Sequence, residues 1–382
     1  MAVATITLES SNGDSVVVSA PNDDYLADHI VLDTDPQGMY DVGFTVRTQS
    51  GAFEPGGRAV GESIPIRNPI LPFWLTPESR PRFQKLWGTP GNLQKVKCTW
   101  DGPSGPRHLI LKLAQEIKYT TEDGFDSDID GIMHAVVSAN AYNPMYEGVE
   151  TVASWENTND RFTITVNLVT GTFPLTYEGQ TATGIPFDAT PAAMKSALEA
   201  LSSVGAGNVT VTGTPANVST LTPGRYEVVF TRAGTLSSTN GFLKVTPASI
   251  GWFEVWNPTD QKLWLEWEFD PAKSWQFPDF GFGQERRWNR PVGADAERMI
   301  VTPELTQLLS VMSDPFMDTY VNADLSNAAG LFNGVEPIYP VPPYTGTEDD
   351  PILMPVVCNG PAGAKVTLRQ RRFWSAESGL EA

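Results

Sequence analysis

The sequence predicts a mainly β protein. Three observations carry this: 33 glycines and 31 prolines in 382 residues, charged residues held to 19%, and repeated stretches in which apolar and polar residues alternate. Long helical periodicities are few. The length suits two or three domains and allows substantial cores without covalent staples.

The first 150 residues read as one β domain. In "QKVKCTW" Val96, Cys98 and Trp100 share a face opposite Lys95, Lys97 and Thr99; "HLILKLAQ" aligns Leu109, Leu111 and Leu113; "GIMHAVVSANAY" supplies a third strand. The clusters "PSGP" and "TEDGFDSDIDG" mark turns. "SIPIRNPILPFW" holds Pro65, Pro69 and Pro72, and is expected as an edge strand or an extended arm, not a central strand.

From about Phe162 to Pro247 charge thins and Thr, Gly, Ala and Val dominate. Phe162, Ile164, Val166 and Leu168 alternate, as do Phe173, Leu175 and Tyr177. In "ATPAAMKSALEALSS" Thr190 is placed to cap a helix with Pro191 in its first turn, and Met194, Ala197, Leu198 and Leu201 fall on one face. Strand alternation returns in "NVTVTG" and "RYEVVFTR". The expectation is a small α+β module of ββαββ order with its own core.

Beyond Gly251 aromatic and acidic residues return. Trp252–Phe277 carries eight Trp or Phe in twenty-six positions. Leu263, Leu265, Trp267 and Phe269 alternate with Lys262, Trp264, Glu266 and Glu268, as expected for a strand packing one face on a second sheet. Trp267 and Phe269 are therefore expected in the core. Trp264 points outward beside two carboxylates, placed either to stack on a sugar ring or to be covered by a neighbouring subunit. "VTPELTQLLSVMSD" fits a helix begun at Thr302-Pro303 and equally two short strands. "PIYPVPPYTGTEDDP" is an extended connection between sheets.

The formal net charge of −19 argues against a nucleic-acid-binding surface, because gripping phosphates requires Lys and Arg to displace counterions. Cys98 and Cys358 follow no metal or disulfide spacing and read as two buried thiols of a protein made in a reducing cytoplasm. The first residues offer neither a basic n-region nor an apolar h-region, so no secretory signal is expected. No apolar run approaches the length of a membrane span.

Catalytic signatures are missing from the sequence: no phosphate-binding glycine loop, nucleophile elbow, CxxC or HExxH occurs. His29, His108 and His134 are scattered. "DSDIDG" sets Asp126, Asp128, Asp130 and Gly131 at calcium-loop spacing. The twelfth position, which needs a bidentate Glu, is Val137, so the reading is a solvated turn and no metal or cofactor is expected. Glu266 and Glu268 on one strand face would stand about 7 Å apart, near an inverting glycosidase's carboxylate spacing. Adjacent acids are common in so acidic a chain, and no enzyme is expected.

The closing phrase "VVSANAYNPMYEG" of the first block resembles that of the ring-forming domain of siphophage distal tail proteins. "EVWNPTDQKLWLEWEF", "LSVMSDPFMDTYVNADLSNAAGLFNGVEPIYPVPPYT" and "PAGAKVTLRQRRFW" resemble the family's galectin-like second domain in its actinobacteriophage minor-tail-protein form. "GTFPLTYEGQTATGIPFDATPAAMKSALEALSSVGAGNVTVTG" is similar to a small module found in many phage structural proteins. The resemblance implies a ring-forming β domain over 1–148, a galectin-like β-sandwich over 149–161 and 249–382, and the α+β module inserted at 162–248. Two departures stand out: "RRFWSAESGLEA" lacks a Trp-Pro-rich close, and "VTPELTQLLSVM" looks more helical than the family's strand there, which is nevertheless the reading taken.

The resemblance further implies a structural role in the virion, as a hexameric ring at the tail tip, made in the host cytoplasm. Its partners would be further copies of itself, the tail tube protein, the tape measure protein, the tail hub and other minor tail proteins. Trp264, Glu266 and Glu268 are the candidate contact, either for host cell-wall glycans or for another subunit. Genomic DNA would pass the lumen unbound, past an acidic or neutral wall, with Lys365, Arg369, Arg371 and Arg372 kept away from it. The alternative is a free-standing multi-domain glycan-binding adhesin.

Overall fold

The computed structural model describes residues 4–53, 55–120, 131–247 and 249–381. The chain is mainly β, organised around three separate apolar cores.

The first core lies on a ten-stranded sheet. Thr5–Ser10 sits between Ser15–Ser19 and Val96–Gly102, and the sheet continues through Gly105–Leu113, Met133–Asn140, Ile70–Leu75 and Ile30–Leu32. Period-two alternation sends Met133, Ala135, Val137 and Ala139 inward, where they meet Phe73 and Leu111. The helix Arg80–Trp87 covers this face with Phe83, Leu86 and Trp87. Gly88 ends the helix at φ +82°; a Cβ there would stand 2.3 Å from the Asn92 carbonyl oxygen.

Ile70–Leu75 corrects one expectation. It pairs on both sides, with Met133–Asn140 and with Ile30–Leu32, despite Pro72. In a strand the N–H and C=O of one residue point to the same side. The Pro72 carbonyl accepts from Asp33 N, just past the end of Ile30–Leu32. The missing donor therefore falls where the neighbouring strand has run out, and the ladder loses little.

A two-stranded arm leaves this body. Thr45–Gln49 and Arg58–Ser63 pair only with each other among the described strands. Every described residue from Gly43 to Glu62 is exposed, Phe53 completely.

The second core is a sandwich. One sheet runs Thr151–Glu156, Lys365–Gln370, Leu265–Phe269, Leu309–Met312, Tyr320–Asn322; the other runs Ser249–Val255, Ile352–Asn359, Ser274–Pro278, Met299–Val301. Trp267 meets Phe253 edge-on at 5.3 Å between ring centroids, and Phe269 lies 5.4 Å from Trp275 and 5.2 Å from Phe277. Five of the eight aromatics of this stretch, Phe253, Trp267, Phe269, Trp275 and Phe277, thus fill the space between two sheets. The ambiguous "VTPELTQLLSVMSD" is extended: Thr302 Oγ1 accepts from Trp275 N instead of capping a helix, and Leu309–Met312 is a strand.

The third core is drawn from residues 162 to 236. The helix Pro191–Glu199 has the anticipated cap, Thr190 Oγ1 accepting from Ala193 N at 3.2 Å, and buries Met194 and Leu198. The expected ββαββ order is too sparse. Gln180–Pro186 adds a strand before the helix, and Leu236–Ser237 and Leu243–Pro247 follow the others. In Gln180–Pro186 only Ala182 and Ile185 are buried and a register shift interrupts the pairing, so no alternation announces it.

The chain end returns to the first core. Phe373–Trp374 pairs with Tyr146–Glu147, and Trp374 joins the first cluster.

Candidate functional site

Strand geometry sends Leu265, Trp267 and Phe269 into the sandwich and leaves Trp264, Glu266 and Glu268 half-buried on its outer face. Trp264 and Glu266 open onto a groove of about 760 Å³ between the sandwich and the root of the arm. Glu268 is not part of its lining. The arm root contributes Phe44 and Ile64, and a turn of the sandwich contributes Phe316 and Met317. Phe316 is 92% exposed, because Asp314 Oδ1 accepts from Phe316 N and fixes the turn outward.

A chain of charges crosses the groove floor. Arg371 Nη1 is 3.5 Å from Glu266 Oε1, while Arg371 Nε and Nη2 donate to the two oxygens of Glu147 at 2.7 and 3.0 Å. His108 Nε2 lies 3.7 Å from Glu147 Oε2. Burial raises the Glu266 carboxyl above its ordinary value, against the pull of Arg371. Hydrogen bonding to Glu147 raises Arg371, and burial followed by Lys97 lowers His108.

This arrangement suits recognition more than proton transfer. Glu266 is engaged by Arg371, and Glu268 lies outside the groove, so the two acids do not face one cleft as a glycosidase pair would. Among the described residues no group of three His, Cys, Asp or Glu could hold a metal ion. The stretch Asp126–Asp130 lies outside the described residues. Cys98 and Cys358 are free and buried, and burial pushes both thiols up to about 12.

Sequence reasoning placed Trp264 and Glu266 but missed what surrounds them. Phe44 and the pair Phe316-Met317 lie far from Trp264 in the chain, and Arg371 was read only as part of a basic strand. The one local signal was an apolar pair set in the turn Asp314-Pro315-Phe316-Met317.

No protein-family model matches the sequence, and no curated protein matches it. Among solved structures the chain is similar to phage SPP1 Dit (gp 19.1), titled a paradigm of the hub adsorption apparatus in phages infecting Gram-positive hosts. The identity is 10%, the TM-score 0.45, and the match covers 96% of this chain and 98% of that one. It is similar at 10% identity and TM-score 0.41 to a chain of the phage P2 baseplate in its activated conformation with Ca, covering 97% and 98%. A structure of Mycobacterium phage Patience matches at 19% identity and TM-score 0.22 over 45% of this chain and 66% of that one.

Proposed function

We propose that this chain is a non-enzymatic structural component of a phage tail tip. In this reading the first body closes with five further copies into a ring joining the tail tube to the tip hub. The sandwich, galectin-like in this view, faces outward for receptor-binding parts or host-surface glycans. The observation that carries the reading is the arm: the described residues between 43 and 62 project with Phe44, Val46, Phe53 and Val60 exposed. A lone hairpin with an uncovered apolar surface is marginal in water and calls for a covering partner. The copy number follows the sequence resemblance, and an identical neighbour is the simplest partner because one head-to-tail contact, repeated with a rotation that closes, builds a ring.

The test is the mass of the purified chain by native mass spectrometry, beside a variant with residues 44–64 replaced by a short glycine-serine linker. Closed oligomers are expected for the parent and monomers for the variant. A parent that stays monomeric at high concentration while binding host glycans would favour the free-standing adhesin. Rings that persist without the arm would remove its role.

A further inference from the structure

A second cleft, of about 520 Å³, opens at the seam between the first body and the sandwich, away from Trp264. Its walls hold two arginine–tryptophan stacks. The Arg372 guanidinium lies 4.3 Å from the Trp256 ring centre and Arg107 lies 4.3 Å from that of Trp374. The terminal nitrogens of Arg107 are engaged by the chain end, donating to the carbonyls of Ala376 and Gly379 and pairing with Glu381, so its charge is met by a carboxylate. Arg372 is different. It is only 8% exposed, and its hydrogen bonds go to neutral groups, Thr151 Oγ1 at 2.7 Å and the Trp256 carbonyl at 3.4 Å. Its Nε has no acceptor, as is also true of Arg107 Nε and Trp374 Nε1, so what sets Arg372 apart is the lack of any carboxylate partner.

A buried guanidinium held only by neutral partners is an incomplete arrangement, since burial of a charge is offset chiefly by an opposite charge within reach. Glu348 lines the same cleft on an exposed loop, and its field favours the charged guanidinium without an ion pair forming. Guanidinium planes pair with oxyanions through two parallel N–H bonds, and turning Arg372 toward one would give its Nε an acceptor too. The cleft has room beyond the oxyanion itself, with aromatic surface on two sides.

We propose that this seam cleft is a binding site for a phosphate- or carboxylate-bearing ligand, with Arg372 as its charge partner and Glu348 as the internal competitor. Occupancy would also tie the first body to the sandwich, because Arg107 comes from one and Trp256 from the other. The inference does not depend on ring assembly.

The probes are inorganic phosphate, acetate and phenyl phosphate, titrated calorimetrically into the full chain at constant ionic strength, with chloride as reference. Phosphate or acetate is expected to bind where chloride does not, and phenyl phosphate more tightly than phosphate if the aromatic walls take part. Arg372→Gln should weaken binding at least about tenfold, as loss of a charge-assisted pair does. Glu348→Gln should tighten it by about threefold or more, because a competing carboxylate is gone. Binding no stronger than chloride, or unchanged in Arg372→Gln, overturns the proposal. If Arg372→Gln does not fold, Glu348→Gln decides: tighter binding supports the site and unchanged binding removes it.

Discussion

Arg371 grips Glu147 with two parallel hydrogen bonds, Nε to Oε1 at 2.7 Å and Nη2 to Oε2 at 3.0 Å, and so joins the last sandwich strand to the rim of the first sheet. Its remaining nitrogen reaches toward Glu266 on the neighbouring strand. One side chain therefore holds the seam and the groove floor together.

Arg371→Ala is expected to lower stability by about 1–2 kcal/mol, the range for a charge-assisted pair reduced for partial exposure. Glu147→Gln should cost less, and the double variant should cost less than the sum of the two, since both remove one interaction. Urea unfolding of the four proteins checks this. Strict additivity would mean that the pair contributes nothing to the seam.

The same network sets a pH dependence. His108 titrates below its ordinary 6.5 in the folded chain, because burial and Lys97 disfavour the imidazolium more than Glu147 favours it. Between that lowered value and 6.5 the unfolded chain binds a proton that the folded chain refuses. Stability should therefore fall as pH drops through this window and recover above it. Glu266, shifted upward, acts in the opposite sense but is common to parent and variant. Urea midpoints from about pH 5 to about pH 7.5 should slope less steeply in His108→Gln than in the parent. Parallel curves would exclude His108 as the cause.

Trp264 and Trp267 should respond differently to truncation. Trp267 is 2% exposed, stacked on Phe269 and set edge-on to Phe253, so Trp267→Ala should cost about 3–5 kcal/mol. Trp264 lines the groove and its loss should leave the melting temperature nearly unchanged while weakening whatever occupies the groove. Calorimetric melts of both variants decide. Equal destabilisation would make Trp264 a core residue.

Deletion of 162–248 should leave assembly and the other two cores intact. Arg161–Val166 pairs with Leu243–Pro247, setting Phe162 opposite Pro247, so the two ends lie about 5 Å apart and a short linker can close the gap. The excised segment, expressed alone, should unfold cooperatively on its own core of Phe162, Phe173, Met194, Val228 and their neighbours. A deletion that melts the sandwich would show that this segment supports it.

Local chemistry was legible where one residue's neighbours along the chain decide its fate. Thr190 and Pro191 announce a helix start regardless of what surrounds it. The period-two pattern of Leu263 to Phe269 names the buried face of a strand without naming the partner sheet. Gln180–Pro186 was silent because only two of its seven residues are buried and its register shifts. Pro72 misled because a proline's cost depends on whether a donor is needed, and that depends on where Ile30–Leu32 ends.

By itself, then, the sequence determined a mainly β chain, the inward aromatics Trp267 and Phe269, the capped helix, and an outward Trp264 beside Glu266. Only the tertiary structure decided that Phe44, Phe316 and Arg371 surround Trp264, that Trp374 closes the first core, and that Arg372 is buried beside Trp256 with no carboxylate partner. The physical reason is the range of the interactions. Propensity, capping and alternation act over a few residues, whereas a groove or a buried charge is made by segments hundreds of residues apart, brought together by packing that no local pattern records.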